Sequence, residues 1–356
     1  MRAFEHFPNL VTMFFVRASA MGDAPFLWRK QDSAWRPLSW SETAQQVAAL
    51  AAALRAQGIQ PGERVMLVSE NRPEFCIADL AIMAAGAVTV PTYTTNTPRD
   101  HAHVMQDSGA AAIIVSTAKL AKALMPAVTG SNTVRLMIGV EPLRLAQSGA
   151  ATILQWQELI AAHSDDPAAT PDACAEAITA TREDLACLIY TSGTGGAPRG
   201  VQQHHGAILT NVEGCADVIA SDFGWGDETF LSFLPLSHAY EHSAGQFFPI
   251  GMGAQIFYAE GLEKLASNIE EVRPTLMVVV PRLFEVLRTR IMKQVEKQGR
   301  VANYLMGRAL AIGERQAQGR GRLLDRPMDF LLEKSLRPKI RLRFGGRIKA
   351  MVSGGA

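Results

Sequence analysis

Leu188-Ile189-Tyr190-Thr191-Ser192-Gly193-Thr194-Gly195-Gly196-Ala197-Pro198-Arg199-Gly200 joins an apolar run to a cluster of glycines, hydroxyls and one cation. The run, residues 185–190, reads as a buried strand. A helical pattern resumes near Gly206. Strand, glycine loop and helix together bring backbone N–H groups close to a phosphate. Glycine permits positive φ and leaves its neighbours' amides uncovered. Thr191, Ser192 and Thr194 add hydroxyls, and Arg199 adds a positive charge. A flexible surface turn is the alternative. The convergence of hydroxyls, Gly193, Gly195, Gly196, Gly200 and a cation directly after a strand argues against it.

Two familiar phosphate loops fail on spacing. Gly195 and Gly200 have the Walker spacing, but Val201 stands where the lysine belongs. Gly193 and Gly195 begin a dinucleotide pattern, but Pro198 occupies its third glycine position.

Around this segment, strand-like and helix-like stretches alternate. Residues 64–69, 87–90, 111–116 and 134–140 read as strands; 73–85, 98–107, 118–128 and 154–162 read as helices. Asp32-Ser33 reads as the turn of a hairpin. Ser39 and Glu42 have capping-box spacing, and Gly58 closes the alanine-rich helix that follows. Residues 164–172 read as a linker. Beyond the glycine segment come a helix at 206–220, a strand at 229–234, a helix from Ser237, a strand at 254–258, a helix at 262–271 and a strand at 275–280. Long basic helices fill 282–336, and a last strand, 347–353, runs into Gly354-Gly355-Ala356. Alternation of this kind predicts parallel sheets covered by helices.

Composition sets the outer bounds. The chain has 356 residues, 48% hydrophobic and 19% charged, with net charge +1, an ordinary soluble globular composition long enough for two or three domains or one large one. Cys76, Cys174, Cys187 and Cys215 are scattered, which argues against a metal knuckle or disulfide framework and fits a reducing cytosol. No apolar run reaches the ~18 residues of a membrane span, and the N-terminal run is too short and wrongly flanked for a signal peptide. The even charge hides an asymmetry. Residues 287–349 hold 17 Lys/Arg against 5 Asp/Glu, while the rest holds 18 against 29. A solvated helical face, an anionic membrane surface and the phosphates of a ligand are the open readings of that segment. Nucleic acid is disfavoured, because no binding motif or stacking aromatic array accompanies the charge.

The glycine segment resembles the phosphate-binding signature of the adenylate-forming enzymes, which include acyl-CoA synthetases, luciferases and peptide-synthetase adenylation domains. Their usual form is Tyr-Thr-Ser-Gly-Thr-Thr-Gly-x-Pro-Lys-Gly. Here Gly195 replaces the second threonine and Arg199 the lysine. Arginine keeps the charge but offers a planar fork instead of a compact ammonium. Leu231-Ser232-Phe233-Leu234-Pro235-Leu236-Ser237-His238-Ala239-Tyr240-Glu241-His242 resembles a second segment, Leu-Pro-Leu-x-His, of the long-chain acyl-CoA synthetases. Tyr93 to Asn96 resembles the strand end of the same branch, without a catalytic role.

The resemblance covers essentially the whole sequence and implies the following. The fold is the α/β large N-terminal domain of adenylate-forming enzymes: two helix-flanked, mostly parallel sheets in layers, incomplete at the C-terminus. A first subdomain with an N-terminal arm spans 1–163, a second carrying the phosphate loop spans 173–356, and the catalytic-lysine domain is absent. ATP would be held by Thr191, Ser192, Gly193, Thr194, Gly195, Gly196, Arg199 and Gly200, with Gly354, Gly355 and Ala356 flanking adenine. Thr191 would stand near Mg2+. Arg199 and His238 would be catalytic, and His238 and His242 would contact the fatty acid. Coenzyme A is the second substrate, and a homodimer is a family habit. The protein would be cytoplasmic, with contact at the inner face of the cell membrane left open. A strand running into Gly354-Gly355 is a place for chain to meet ligand, so the sequence reads as truncated and as inactive alone.

Other readings stay open. The chain could adenylate an aryl or amino acid, or bind ATP or AMP without catalysis. His238-Ala239-Tyr240-Glu241-His242 also matches His-x-x-Glu-His, an inverted zinc-protease motif with Glu241 as base. His204 and His205 stand at the start of a helix, where packing is at least as good an account as ligand contact.

Overall fold

The computed structural model describes residues 4–144, 151–191, 197–320 and 323–354. The chain forms two compact units, Met1–Ala259 and Glu260–Ala356. In chain order the strands of the first unit are β1 Pro25–Gln31, β2 Ala34–Ser39, β3 Arg64–Val68, β4 Val88–Thr92, β5 Ala112–Val115, β6 Leu136–Gly139, β7 Thr152–Gln155, β8 Leu185–Thr191, β9 Arg199–His204, β10 Thr229–Ser232 and β11 Gln255–Tyr258. The second unit contributes β12 Leu276–Val279 and β13 Ala350–Ser353.

Seven strands of the first unit form one sheet in the order β7-β6-β5-β3-β4-β8-β9. All neighbours are parallel except β8 and β9. β5 (Ala-Ile-Ile-Val) is buried along its whole length, as a strand covered by helices on both faces must be. Four more strands run β10-β11-β1-β2, with only the β1–β2 pair antiparallel. In the second unit β12 and β13 pair in parallel. Mostly parallel, helix-flanked sheets are thus what the alternation predicted, and their division into two is what the resemblance implied.

The helix Pro73–Ala84 is buried at every position. A helix apolar all round belongs between layers, and the two acids it carries, Glu74 and Asp79, must be paired there. Glu74 meets Arg29 and Arg72; Asp79 meets His242. Local signals behave as read. Asp32 and Ser33 both have positive φ in the tight β1–β2 turn. Ser39 and Glu42 exchange both capping-box bonds. Thr97 and Asp100 do the same at the helix Pro98–Ser108.

Three local expectations are corrected. The glycine segment leads into a strand, β9, before the helix His205–Asp222 begins. The helix expected over 154–162 starts at Trp156, because Thr152–Gln155 completes the sheet edge beside β6. Residues 164–172 are no bare linker. A turn at Pro167–Ala169 and the helix Pro171–Glu176, capped by Thr170, bury Ala169 and Cys174.

In the second unit the helices Pro281–Lys297, Arg300–Ala317, Arg326–Ser335 and Arg337–Arg343 enclose a small core of Val295, Met306, Ile312, Leu332 and Leu336. Part of the basic excess is paired: Arg315 with Asp325, Arg337 with Asp329 and Glu333, Arg341 with Glu333, and Arg343 with Glu270. Among the described residues no helix is long and apolar enough to cross a membrane.

Candidate functional site

β8 and β9 form an antiparallel hairpin in which Tyr190 faces Gly200 and Thr191 faces Arg199. The two residues expected to bracket the phosphate segment are therefore direct cross-strand neighbours. Both are exposed. Among the described residues neither the Thr191 hydroxyl nor the Arg199 guanidinium has a hydrogen-bond or ion-pair partner. Ser192, Gly193, Thr194, Gly195 and Gly196 lie outside the described residues, as do Gly355 and Ala356. Gly354 donates its amide to the carbonyl of Val279 at 3.2 Å, continuing the β12–β13 pairing by one residue. Gly200 is a packing requirement. A Cβ there would stand 3.0 Å from the Tyr190 ring. The Tyr190 hydroxyl donates to Asp107 at 2.6 Å, and burial together with that carboxylate pushes its pKa well above the ordinary phenol range.

The second segment is held from below. Asn71 donates to the carbonyl of Leu234 at 2.6 Å and to the Ser232 hydroxyl at 3.0 Å, and accepts from the Leu236 amide at 3.1 Å. It thereby fixes the Leu-Pro-Leu turn that precedes His238. His238 caps the short turn Ala239–Glu241: its Nδ1 accepts from the Tyr240 amide at 3.2 Å. An accepting Nδ1 puts the neutral ring's proton on Nε2. The ring is exposed, so Nε2–H is a donor open to an oxyanion.

Glu241 and His242 point to different chemistry. Glu241 is buried, accepts from the Ser232 hydroxyl at 2.7 Å, and is pushed up to about 8 by burial. Gly245 leaves room for it, since a Cβ would sit 2.4 Å from the carboxyl. His242 is 0% exposed and donates from Nε2 to Asp79 at 2.9 Å. Gln246 donates to the same Asp79 oxygen at 2.6 Å. Burial works against the imidazolium, but the Asp79 charge and Cys187 outweigh it and lift His242 to about 10. His242 and Gln246 lie on a π-helical segment, His242–Phe247. Such widened turns are frequent at functional sites.

The zinc-protease reading finds no footing. Glu241 and His242 are buried with separate partners, His238 is exposed, and among the described residues no three His, Cys, Asp or Glu side chains gather as ligands. His205 is structural: its Nδ1 accepts from the Leu10 amide at 3.3 Å, and burial lowers it to about 4. Asn71, Asp79 and Gln246 were not singled out in the sequence. Asn71 had no local signal, and Asp79 was detectable only as an acid inside an otherwise apolar helix.

The AMP-binding enzyme family matches residues 14–356. A long-chain-fatty-acid–CoA ligase of Mycobacterium tuberculosis, FadD15, is 31% identical over 355 residues, covering 98% of this chain and 56% of the relative. Long chain acyl-CoA synthetase 1 of Arabidopsis thaliana is 28% identical over 374 residues, covering 100% and 52%. The chain thus spans about half the length of the curated relatives it matches. The adenylation domain of a carboxylate reductase from Mycobacterium chelonae superposes with TM-score 0.73 at 20% identity, covering 99% of this chain and 54% of that one. That likeness establishes the fold.

Proposed function

The chain belongs to the AMP-binding enzyme family, and on that premise we propose that it activates a long-chain fatty acid. The carboxylate attacks the α-phosphate of ATP, giving acyl-adenylate and pyrophosphate, and the coenzyme A thiol then displaces AMP. The observation that carries this reading is the Thr191–Arg199 cross-strand pair, an exposed hydroxyl and an exposed guanidinium, each unpartnered among the described residues, flanking a segment of glycines. The segment's amides, with Ser192 and Thr194, and Arg199 bind the β- and γ-phosphates and stabilise the charge that moves onto pyrophosphate. Gly354, Gly355 and Ala356 flank the adenine. His238 donates from Nε2 to charge developing at the carboxylate or the adenylate. His242, the other expected fatty-acid contact, is wholly buried against Asp79 and would need to become exposed to touch the acid.

Thr191 is the residue that would face a magnesium ion carried in with the ATP phosphates. The Thr191 hydroxyl is exposed and unpartnered among the described residues, and Mg2+ in such sites is held largely by substrate phosphates and water. Bound there, the ion would neutralise phosphate charge.

The long-chain ligases among the relatives favour a fatty acid over an aryl or amino acid. The test is ATP–pyrophosphate exchange with a panel of acids, run on the 356-residue chain and on a chimera completed with the C-terminal part of the M. tuberculosis relative. MgATP binding is measured on both. Exchange in the chimera that needs a long-chain acid supports the proposal. MgATP binding without exchange for any acid would leave a nucleotide binder that does not adenylate.

A further inference from the structure

The hairpin that carries Thr191 and Arg199 lies at one edge of its sheet, β8 beside β4 and β9 outermost. β8 registers with β4 through Thr89 and Cys187, whereas the β8–β9 pairing continues outward through Tyr190 and Thr191. β9 is the sheet's edge and is exposed along most of its length. β9 has no strand on its outer side in this sheet, so the loop end of the hairpin gains from side-chain support.

That support comes from the helix Pro98–Ser108. His103 and Asp107 are four residues apart and share a face. His103 Nε2 donates to the carbonyl of Pro198 at 2.8 Å. Asp107 accepts from the Tyr190 hydroxyl at 2.6 Å. The His103 ring also stands edge-on to Tyr190, centroids 6.3 Å apart at 90°. One bond thus falls just before the glycine segment and the other just after it. The helix does not need these bonds to stay in place, because Val104 and Met105 already bury its inner face and Thr97 with Asp100 caps its start. Gly200 completes the arrangement: the Tyr190 ring lies where a side chain at 200 would stand.

We infer that His103 and Asp107 are positioning residues for nucleotide binding, fixing the two ends of the glycine segment so that Thr191 and Arg199 are held ready for the phosphates. The inference rests on the nucleotide reading above. Loss of one such bond corresponds to about a fivefold effect.

The test uses the 356-residue chain, titrated with MgATP and followed by hydrogen–deuterium exchange of peptides within residues 187–204. His103→Ala is expected to weaken MgATP binding about fivefold and to speed exchange in those peptides to a similar extent. Peptides of β3 and β5 should keep their protection, which separates positioning from general destabilisation. His103→Gln restores a donor to Pro198 and should recover most of both losses. Tyr190→Phe, which deletes only the hydroxyl, should reproduce the direction of His103→Ala. If wild type binds MgATP and His103→Ala and Tyr190→Phe bind it equally well, the inference falls alone. If wild type binds no MgATP, the nucleotide reading falls and takes the inference with it.

Discussion

Asp79→Ala should be among the most damaging single changes outside the proposed ligand contacts. Asp79 is fully buried, and its Oδ2 accepts from His242 at 2.9 Å and from Gln246 at 2.6 Å. Deleting it strands two donors in the interior. Removing one partner of a buried ion pair costs about 3–5 kcal/mol, a large share of a typical total of about 5–15 kcal/mol. In a unit of this size each kcal/mol moves Tm by about 2–4 °C, so a loss of about 4 kcal/mol corresponds to about 8–16 °C. Calorimetry and urea unfolding of wild type, Asp79→Ala, His242→Ala and the double variant measure it. The pair should be coupled by about 2 kcal/mol, the double variant losing less than the sum of the singles. Additivity within about 0.5 kcal/mol would refute the ion-pair account. A pH signature checks the charge. The folded pKa of His242, about 10, lies above its ordinary 6.5. Its contribution is therefore complete below about 6.5 and lost as pH rises through about 10. The gap between wild type and Asp79→Ala should narrow over that window.

Glu241, raised from 4.5 to about 8, also contributes stability that fades as pH rises, between about 4.5 and 8; Glu241→Gln should flatten this alkaline decline by roughly 1–3 kcal/mol in urea melts at pH 8.5. His205 has the opposite sign: lowered from 6.5 to about 4, it favours the fold above about 6.5 and loses that contribution as pH falls through 4, so His205→Gln should soften acid unfolding. Gly245→Ala places a Cβ 2.4 Å from a carboxyl already held by Ser232 and should cost about 1–3 kcal/mol, read as a drop in Tm. Arg199→Ala should leave the unfolding free energy within about 0.5 kcal/mol of wild type yet weaken MgATP binding about tenfold; Arg199→Lys should retain most of the affinity.

Where local physics and tertiary need agree, the sequence was legible. β3, β5 and β6 are apolar runs bounded by turn residues, and the Ser39–Glu42 and Asp32-Ser33 signals act within four residues of chain. β9 was missed because Arg-Gly-Val-Gln-Gln-His is exposed at nearly every position. An edge strand with little buried surface writes no period into its sequence, and it forms because β8 offers it a register. β7 was read as the start of a helix because Leu154 fits either pattern; the open edge of β6 decides it. The π-helical turn and its anchor could not be read at all, since Asp79 and His242 are 163 residues apart. An acid in the middle of an otherwise largely apolar helix was the available hint that such a partner existed.

The β9 correction changes the electrostatics assigned to the glycine segment. A phosphate loop that opens directly into a helix gains from the helix's N-terminal partial charge. Here the helix begins at His205, after the whole of β9. That partial charge falls off within about one turn, so it does little for an anion beside Thr191. What remains is the segment's own amides and hydroxyls, and one full charge. Arg199 supplies it from the position directly across from Thr191, unpartnered among the described residues. With no helix end to share the load, the cation matters more, and so does whatever fixes the strand that carries it. The two hydrogen bonds from His103 and to Asp107 act at that point. The physical ordering is therefore specific. Loss of the Arg199 charge should cost more nucleotide affinity than loss of either latch bond. Loss of the Asp79–His242 pair should cost more stability than any of them.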